Sequence, residues 1–380
     1  MKITQIKTAR VSLKSGENRR YSYCYVRVYT DEGVYGTGEA SHVDGGWRGS
    51  TQSMASIIIG MDPRDVDACF EKIRRSYIFR GGFSGLGISA LSGIEVALWD
   101  LAGKAQGVPI YRLLGGKFRD RVRLYVDSAR SNCGERAAEL RDNGFDAVKF
   151  DLDDAANPHK IDAWNWSVKP DELKLIVDQA FEIREAVGSS MDLAIDLHGR
   201  YDATAGMKIA QALEPLNLMW LEEPVPPENI DAIAKITQST TTPICAGENL
   251  YLRYGFRDLL ENQAVDIIMP DISKCGGLSE SRKMANMAEI YYIPFAPHNN
   301  SSALSTVADA HVCASVPNFL ALEFHRYGDP IWNDVILSDE PAIQDGHVVV
   351  PDKPGIGVEL NDEYLEKNNL AEGELWQPAH

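Results

Sequence analysis

The chain has 380 residues, with 38 basic against 55 acidic side chains and a formal net charge of −17. Hydrophobic content of 44% and charged content of 24% are those of an ordinary globular protein and exclude collagen, coiled coil and extended disorder. So much negative charge repels polyphosphate, which argues against a nucleic-acid partner; it would also repel a small anionic substrate unless a local site reverses the field.

The opening residues, MKITQIKTARVSL, lack the apolar core of about 7–15 residues that a secretion signal needs. No run of about 18 apolar residues suggests a membrane span. The six cysteines (Cys24, Cys69, Cys133, Cys245, Cys275 and Cys313) are scattered without a C-x-x-C pair, as expected of reduced thiols. The expectation is a cytoplasmic protein with no membrane partner.

Residues 1–40 carry strand signals. Val11–Leu13 and Tyr23–Val28 are β-rich, and Asp31-Glu32-Gly33 marks a turn before Val34–Glu39. Residues 50–115 look helical, and Ser89–Gly103 spaces Leu91, Ile94, Leu98 and Leu101 by three or four before Gly107 and Pro109. Strands followed by helices make an α+β unit. From about residue 120, short apolar runs alternate with longer amphipathic stretches: Val122–Val126, Ala147–Asp151, Asp192–Asp196, Leu218–Glu222, Pro243–Glu248, Asp266–Asp271, Ile293–His298 and Phe319–Glu323. Eight such runs predict an α/β barrel. An open doubly wound sheet is disfavoured, because no G-x-G-x-x-G turn follows the first run. The tail, with Val348-Val349-Val350, reads as a strand and loops outside the barrel.

The runs after the first end in or beside ionisable residues: Lys149, Asp196, Glu222, Glu248, Asp271, His298 and Glu323. From Asp196 onward the intervals are 23–27 residues, about one βα unit each. Residues at the C-terminal ends of barrel strands share one mouth, where barrel active sites lie. Asp196, Glu222 and Glu248 would form an all-oxygen set suited to Mg2+. A zinc hydrolase would prefer histidine ligands, and no H-x-H occurs. Asp271 beside His298 would orient an imidazole base. His198, two residues beyond Asp196, should face the same mouth as a general acid. Lys149 would add positive charge. Glu323 would help only if protonated, as a hydrogen-bond donor to an enediolate; an ion pair with Lys149 or a barrel-rim salt bridge is its structural alternative.

At this point the chain resembles the enolase superfamily, in its mandelate racemase branch, over nearly its whole length. The resemblance rests on Ala97-Leu98-Trp99-Asp100-Leu101-Ala102-Gly103-Lys104 with Leu113-Leu114-Gly115-Gly116. It rests further on Asp196, Trp220-Leu221-Glu222-Glu223-Pro224, Gly247-Glu248-Asn249, Pro270-Asp271 through Gly276-Gly277, and Pro297-His298. It implies an α+β capping domain over a modified TIM barrel, (β/α)7β. The divisions expected are 1–118 for the cap, 119–340 for the barrel and 341–380 for a segment returning to the cap. It also implies Mg2+ and removal of the proton α to a carboxylate.

Two departures narrow the chemistry. The second base of the racemases is missing, since Phe150-Asp151 follow Lys149, and Asp271 stands where muconate-type cycloisomerases place a lysine. Asp196-Leu197-His198-Gly199-Arg200 is similar to galactonate-type sugar-acid dehydratases. The expectation is dehydration of an aldonate, such as galactonate or gluconate, to a 2-keto-3-deoxy acid by a homo-oligomer. An epimerase, a sugar-lactone cycloisomerase and a non-catalytic relative are the alternatives. Specificity should come from the segments Ser15–Tyr21 and Ser41–Ser50, with Arg19, Arg20, Trp47 and Arg48. The stretch Leu152–Lys169, with Trp164 and Trp166, should add a lid or subunit contact.

Overall fold

The structure is a computed structural model and describes residues 1–15, 19–41, 43, 46–128, 132–152, 166–371 and 373–378. Three antiparallel strands open the chain: Ile3–Ser15, Arg19–Thr30 and Tyr35–Ala40. They run longer than the sequence signals because the pairing continues into polar positions such as Lys14↔Arg20. Helices Trp47–Ile58, Val66–Ser76 and Leu86–Gln106 follow. The last ends at Gly107, whose φ of 68° is the left-handed conformation that favours glycine. This helix is long and apolar enough to cross a membrane by composition, but most of it is buried within the cap. Gly36 and Gly38 seat the third strand on it: a Cβ at either would lie 2.1 Å from Ala97 O or 2.3 Å from Gly93 O.

The barrel strands lie side by side in chain order and in parallel: Arg121–Ser128, Ala147–Asp151, Asp192–Asp196, Trp220–Glu222, Ile244–Ala246 and Ile267–Ile268. The seventh position is held by single bridges, Ile268↔Phe295 and Asp271↔His298. Leu322–Phe324 then pairs with Leu124–Val126 and closes the ring. Helices lie between successive strands, and none follows the eighth directly. This is the α/β capped barrel expected, with a helixless last strand.

The tail departs from expectation. Instead of lying outside the barrel sheet, His347–Val349 pairs with Arg121–Val122–Arg123. The eighth strand is too short to cover that half of the first, so the returning hairpin satisfies its exposed edge. Gln377–Pro378 adds to the cap sheet beside Lys7–Thr8.

Alternation along the strands sorts the barrel into two cores. Val148, Phe150, Leu193, Ile195, Leu221 and Ile244 face the helices. Tyr125, Ala147, Ala194, Trp220, Cys245, Ile267, Met269, Ala296 and Ala321 fill the interior, with the Tyr125 and Trp220 rings edge-to-face at 4.9 Å. Lys149, Asp196 and Glu222 share the parity of Ala147, Ala194 and Trp220. They therefore stand on this plug as the layer above it.

His311, fully buried in helix Ala303–Ser315, ties the linker to the tail. Its Nδ1 accepts from the Tyr111 N–H and its Nε2 donates to Ile356 O at 2.9 Å. Burial pushes its pKa down from 6.5 to about 4. The folded state therefore binds fewer protons than the unfolded state between those values. His311 contributes stability that is full above pH 6.5 and is lost as pH falls to 4. The contribution is about 3 kcal/mol. Urea unfolding at both ends of this window should show that His311→Gln removes roughly that part of the wild-type acid sensitivity. An unchanged pH dependence would contradict the assignment.

Candidate active site at the barrel mouth

Strand register builds the site. Asp151, Asp196 and Glu222 are paired in one row across the second, third and fourth strands. Lys149 projects from the second strand, and its side chain is 2% exposed. Its Nζ lies 3.1 Å from Asp196 Oδ2, 3.1 Å from Glu222 Oε1 and 2.6 Å from Glu323 Oε1. Burial works against its charge, but Glu222, Glu323 and Asp196 outweigh that and hold it well above the ordinary lysine value. Glu222 is also held by Trp220 Nε1 at 3.1 Å. Burial and the charge of Asp196 push Glu222 well above the usual carboxylate range despite Lys149.

Across the mouth, His298 is buried with Nδ1 2.9 Å from Asp271 Oδ2 and Nε2 2.9 Å from Glu248 Oε2. Burial opposes its charge, yet Glu248 and Glu323 dominate and hold its pKa well above the ordinary histidine value. Glu248 is thus turned onto Nε2 as the counter-charge of the ring. Burial of Glu248 is likewise outweighed by His298, and its carboxyl sits below the usual range.

Glu323 adopts the ion pair that the sequence left open. Its Oε1 ion-pairs with Lys149 and its Oε2 accepts from the Asn299 N–H at 3.1 Å. Burial is outweighed by Lys149, His298 and His325, which hold it well below the usual range. Its Oε1 stands 2.6 Å from the Lys149 ammonium, the ion-pair arrangement.

His198 reaches the mouth by another route than strand alternation. The strand ends at Asp196, and His198 sits in the following turn at φ 47°, with its N–H donating to Asp196 Oδ1 at 2.8 Å. Its Nε2 lies 3.5 Å from Asp196 Oδ2, and 39% of the side chain is exposed.

The expected metal triad is not the most tightly gathered set. Among the described residues, potential ligand atoms lie within 4.8 Å of one another in the groups Asp151, Asp196, His198 and His298, Glu323, His325. The reason is visible: the Lys149 ammonium stands between Asp196 and Glu222, and His298 draws Glu248 away. The donors nevertheless suit a hard divalent cation. They are oxygens only, and one lysine faces three buried carboxylates, of which Glu222 is pushed toward neutrality.

Three further groups, Glu223, His325 and Asp151, were given no role from sequence. Glu223, at φ 33°, accepts from Asn249 Nδ2 at 2.8 Å and from the Gly247 N–H, and so steadies the loop bearing Glu248. Burial, then Glu248, pushes it up to about 7. His325 bridges Asp127 at 3.0 Å and Glu323 at 3.1 Å. Its signal was the Glu323-Phe324-His325 spacing, which puts both on one strand face. Asp151 is pushed up to about 6 by burial and by Asp127.

The cap residues separate by role. Trp47 is 1% exposed and belongs to the cap core, not to a specificity loop. Arg48 bonds Gln377 Oε1 at 2.6 Å, and Arg20 is exposed. Trp166 is 55% exposed. The side chain of Arg19, and Trp164 with most of the proposed lid, lie outside the described residues.

A capped barrel gathers an imidazole–aspartate pair and buried carboxylates at its mouth, where barrel enzymes carry their sites. Residues 2–115 match the mandelate racemase / muconate lactonizing enzyme N-terminal domain, and residues 132–364 match the enolase C-terminal domain-like family. The chain belongs to this branch of the enolase superfamily. A D-xylonate dehydratase of Haloferax volcanii is 43% identical, covering 98% of this chain and 90% of its own. A D-galactonate dehydratase of Xanthomonas euvesicatoria pv. vesicatoria is 32% identical over 97% and 94%. A mandelate racemase/muconate lactonizing enzyme-like structure from Rubrobacter xylanophilus superposes with TM-score 0.92 at 44% identity and covers 98% of both chains.

Removing the Lys149 ammonium should leave buried carboxylates uncompensated. Lys149→Met is expected to cost about 3–5 kcal/mol in urea unfolding without added metal. A loss within about 0.5 kcal/mol of zero would show that the cluster does not depend on it.

Proposed function

We propose that this enzyme dehydrates an aldonate to a 2-keto-3-deoxy acid, beginning with removal of the proton at C2. The observation that carries the reading is the placement of two imidazoles. His298 leaves the seventh strand position and His198 the third, four strands apart in a ring of eight, with the carboxylate–lysine cluster between them. The relatives named D-xylonate and D-galactonate dehydratase support the same substrate class.

A divalent cation, Mg2+, held by Asp196, Glu222 and Glu248, would supply Lewis acidity toward the substrate carboxylate. Lys149 adds a fixed positive charge beside that position. His298 acts as base only once Glu248 is engaged elsewhere and Nε2 is free of its counterion, which the ligand role of Glu248 requires. Nε2 then takes the C2 proton, and the C–H electrons move into the carboxylate to give an enediolate whose charge Lys149 offsets. Asp271 holds the opposite ring nitrogen and stabilises the imidazolium formed. His198, protonated, gives its proton to the C3 hydroxyl, which leaves as water as the C2–C3 double bond forms. The enol then tautomerises to the 2-keto acid. Glu323, as a carboxylate, orients Lys149. A cytoplasmic, metabolic setting fits this activity.

The test is a panel of D-xylonate, D-galactonate and D-gluconate with Mg2+, assayed for 2-keto acid and for exchange of the C2 proton in deuterium oxide. His298→Asn should lose both by about 100–10,000-fold. His198→Asn should keep exchange while losing dehydration. Full activity of His298→Asn would sink the base assignment, and exchange without any 2-keto acid from the wild type would turn the reading toward an epimerase.

A further inference from the structure

The strand Tyr35–Ala40 delivers two buried polar residues to the seam between cap and barrel, Glu39 on the strand and Ser41 just past its end. Residues two apart face the same way along an extended chain. Both reach across the seam: Ser41 onto the carboxylate of the imidazole–carboxylate pair, Glu39 onto Ser302, four residues beyond the imidazole. The Ser41 hydroxyl lies 3.0 and 3.1 Å from the two oxygens of Asp271, and its N–H donates to Ser273 O at 3.0 Å. The Glu39 carboxylate accepts from the N–H of Ser302 at 3.1 Å and from its hydroxyl at 2.5 Å. Ser302 begins the helix Ala303–Ser315, four residues beyond His298. Its hydroxyl does not cap its own helix, as a serine there commonly would; it is spent on the cap.

The strand making these contacts is itself fixed. Gly36 and Gly38 pack against helix Leu86–Gln106 too closely for any side chain. That helix holds the same barrel segment: Ser92 accepts from the Gly276 N–H at 2.8 Å, and Glu95 accepts from the N–H groups of Leu278 and Ser279 at 2.8 and 2.9 Å. The segment from Asp271 onward is thus anchored to the cap at both of its ends.

We propose that Ser41 is a positioning residue through which seating of the cap aligns the base. Its hydroxyl fixes the plane of the Asp271 carboxylate, and Asp271 fixes the ring orientation of His298. Such outer partners of a histidine set its tautomer and direction. The consequence is that the barrel alone does not carry an aligned base, because one of the groups that orients it belongs to the other domain. This inference rests on the reading of His298 as the base.

Ser41→Ala and Ser41→Thr test it, with kcat and KM measured on the aldonate turned over fastest in the panel, unlabelled and deuterated at C2. Ser41→Ala should lower kcat about 10–100-fold, leave KM within about twofold and raise the primary isotope effect, with an unchanged melting temperature. Ser41→Thr, which keeps the hydroxyl, should restore most of the rate. Wild-type kcat in Ser41→Ala, or a Ser41→Thr variant as slow as alanine, would overturn the proposal. A crystal structure of Ser41→Ala separates the two readings. An Asp271 carboxylate still in place on His298 Nδ1 overturns the positioning role. A rotated carboxylate in a protein whose wild type turns over no aldonate upholds the positioning and sinks the functional reading.

Discussion

The ammonium group of Lys149 is the contact on which the rest of the site depends. It is almost wholly buried and is shared by Asp196, Glu222 and Glu323 from three other strands. Three acids around one base is not a balanced arrangement. Burial alone would drive such carboxylates to take up protons, and Glu222 is the one most affected. The cluster therefore has room for further positive charge, which is the condition under which a protein with a net charge of −17 can receive an anionic sugar acid. The field that matters to the substrate is the local one.

That cluster is held in place from below and above. Below, alternating small and large side chains, Ala147 and Ala194 against Tyr125 and Trp220, fill the barrel and leave no freedom for the charged layer to sink. Above, the cap strand and helix close over the far side, with Ser41 on Asp271 and Glu95 on the segment that follows it. The two histidines are constrained differently. His298 lies between two carboxylates inside the seam, whereas His198 stands in a partly exposed turn. Under the proposed function, the sheltered imidazole would serve removal of a carbon-bound proton and the exposed one the loss of water.

Much of this was legible in the chain. The eight apolar runs, and the ionisable residues closing them, follow from two rules: a parallel barrel buries every strand on both faces, and its strand ends converge. The sequence was less informative where geometry came from something other than alternation. His198 reaches the mouth because the chain turns at a positive φ, not because it continues the strand. Trp47 looked like a loop aromatic and is a core residue, because the loop becomes helix at that position. The tail hairpin could not be read as part of the barrel sheet, since the open edge it covers exists only once the eighth strand proves short. The two histidines that join Lys149 around Glu323 come from separate positions in the chain, so only the lysine partner could be anticipated.

The central claim is that the surplus of buried carboxylate at the barrel mouth is completed by a divalent cation. Calorimetric titration of Mg2+ into metal-free protein tests it most directly. The account predicts saturable binding of one ion per chain, abolished by Asp196→Asn and by Glu222→Gln. Absence of binding to the wild-type protein, or undiminished binding in Glu222→Gln, would contradict it.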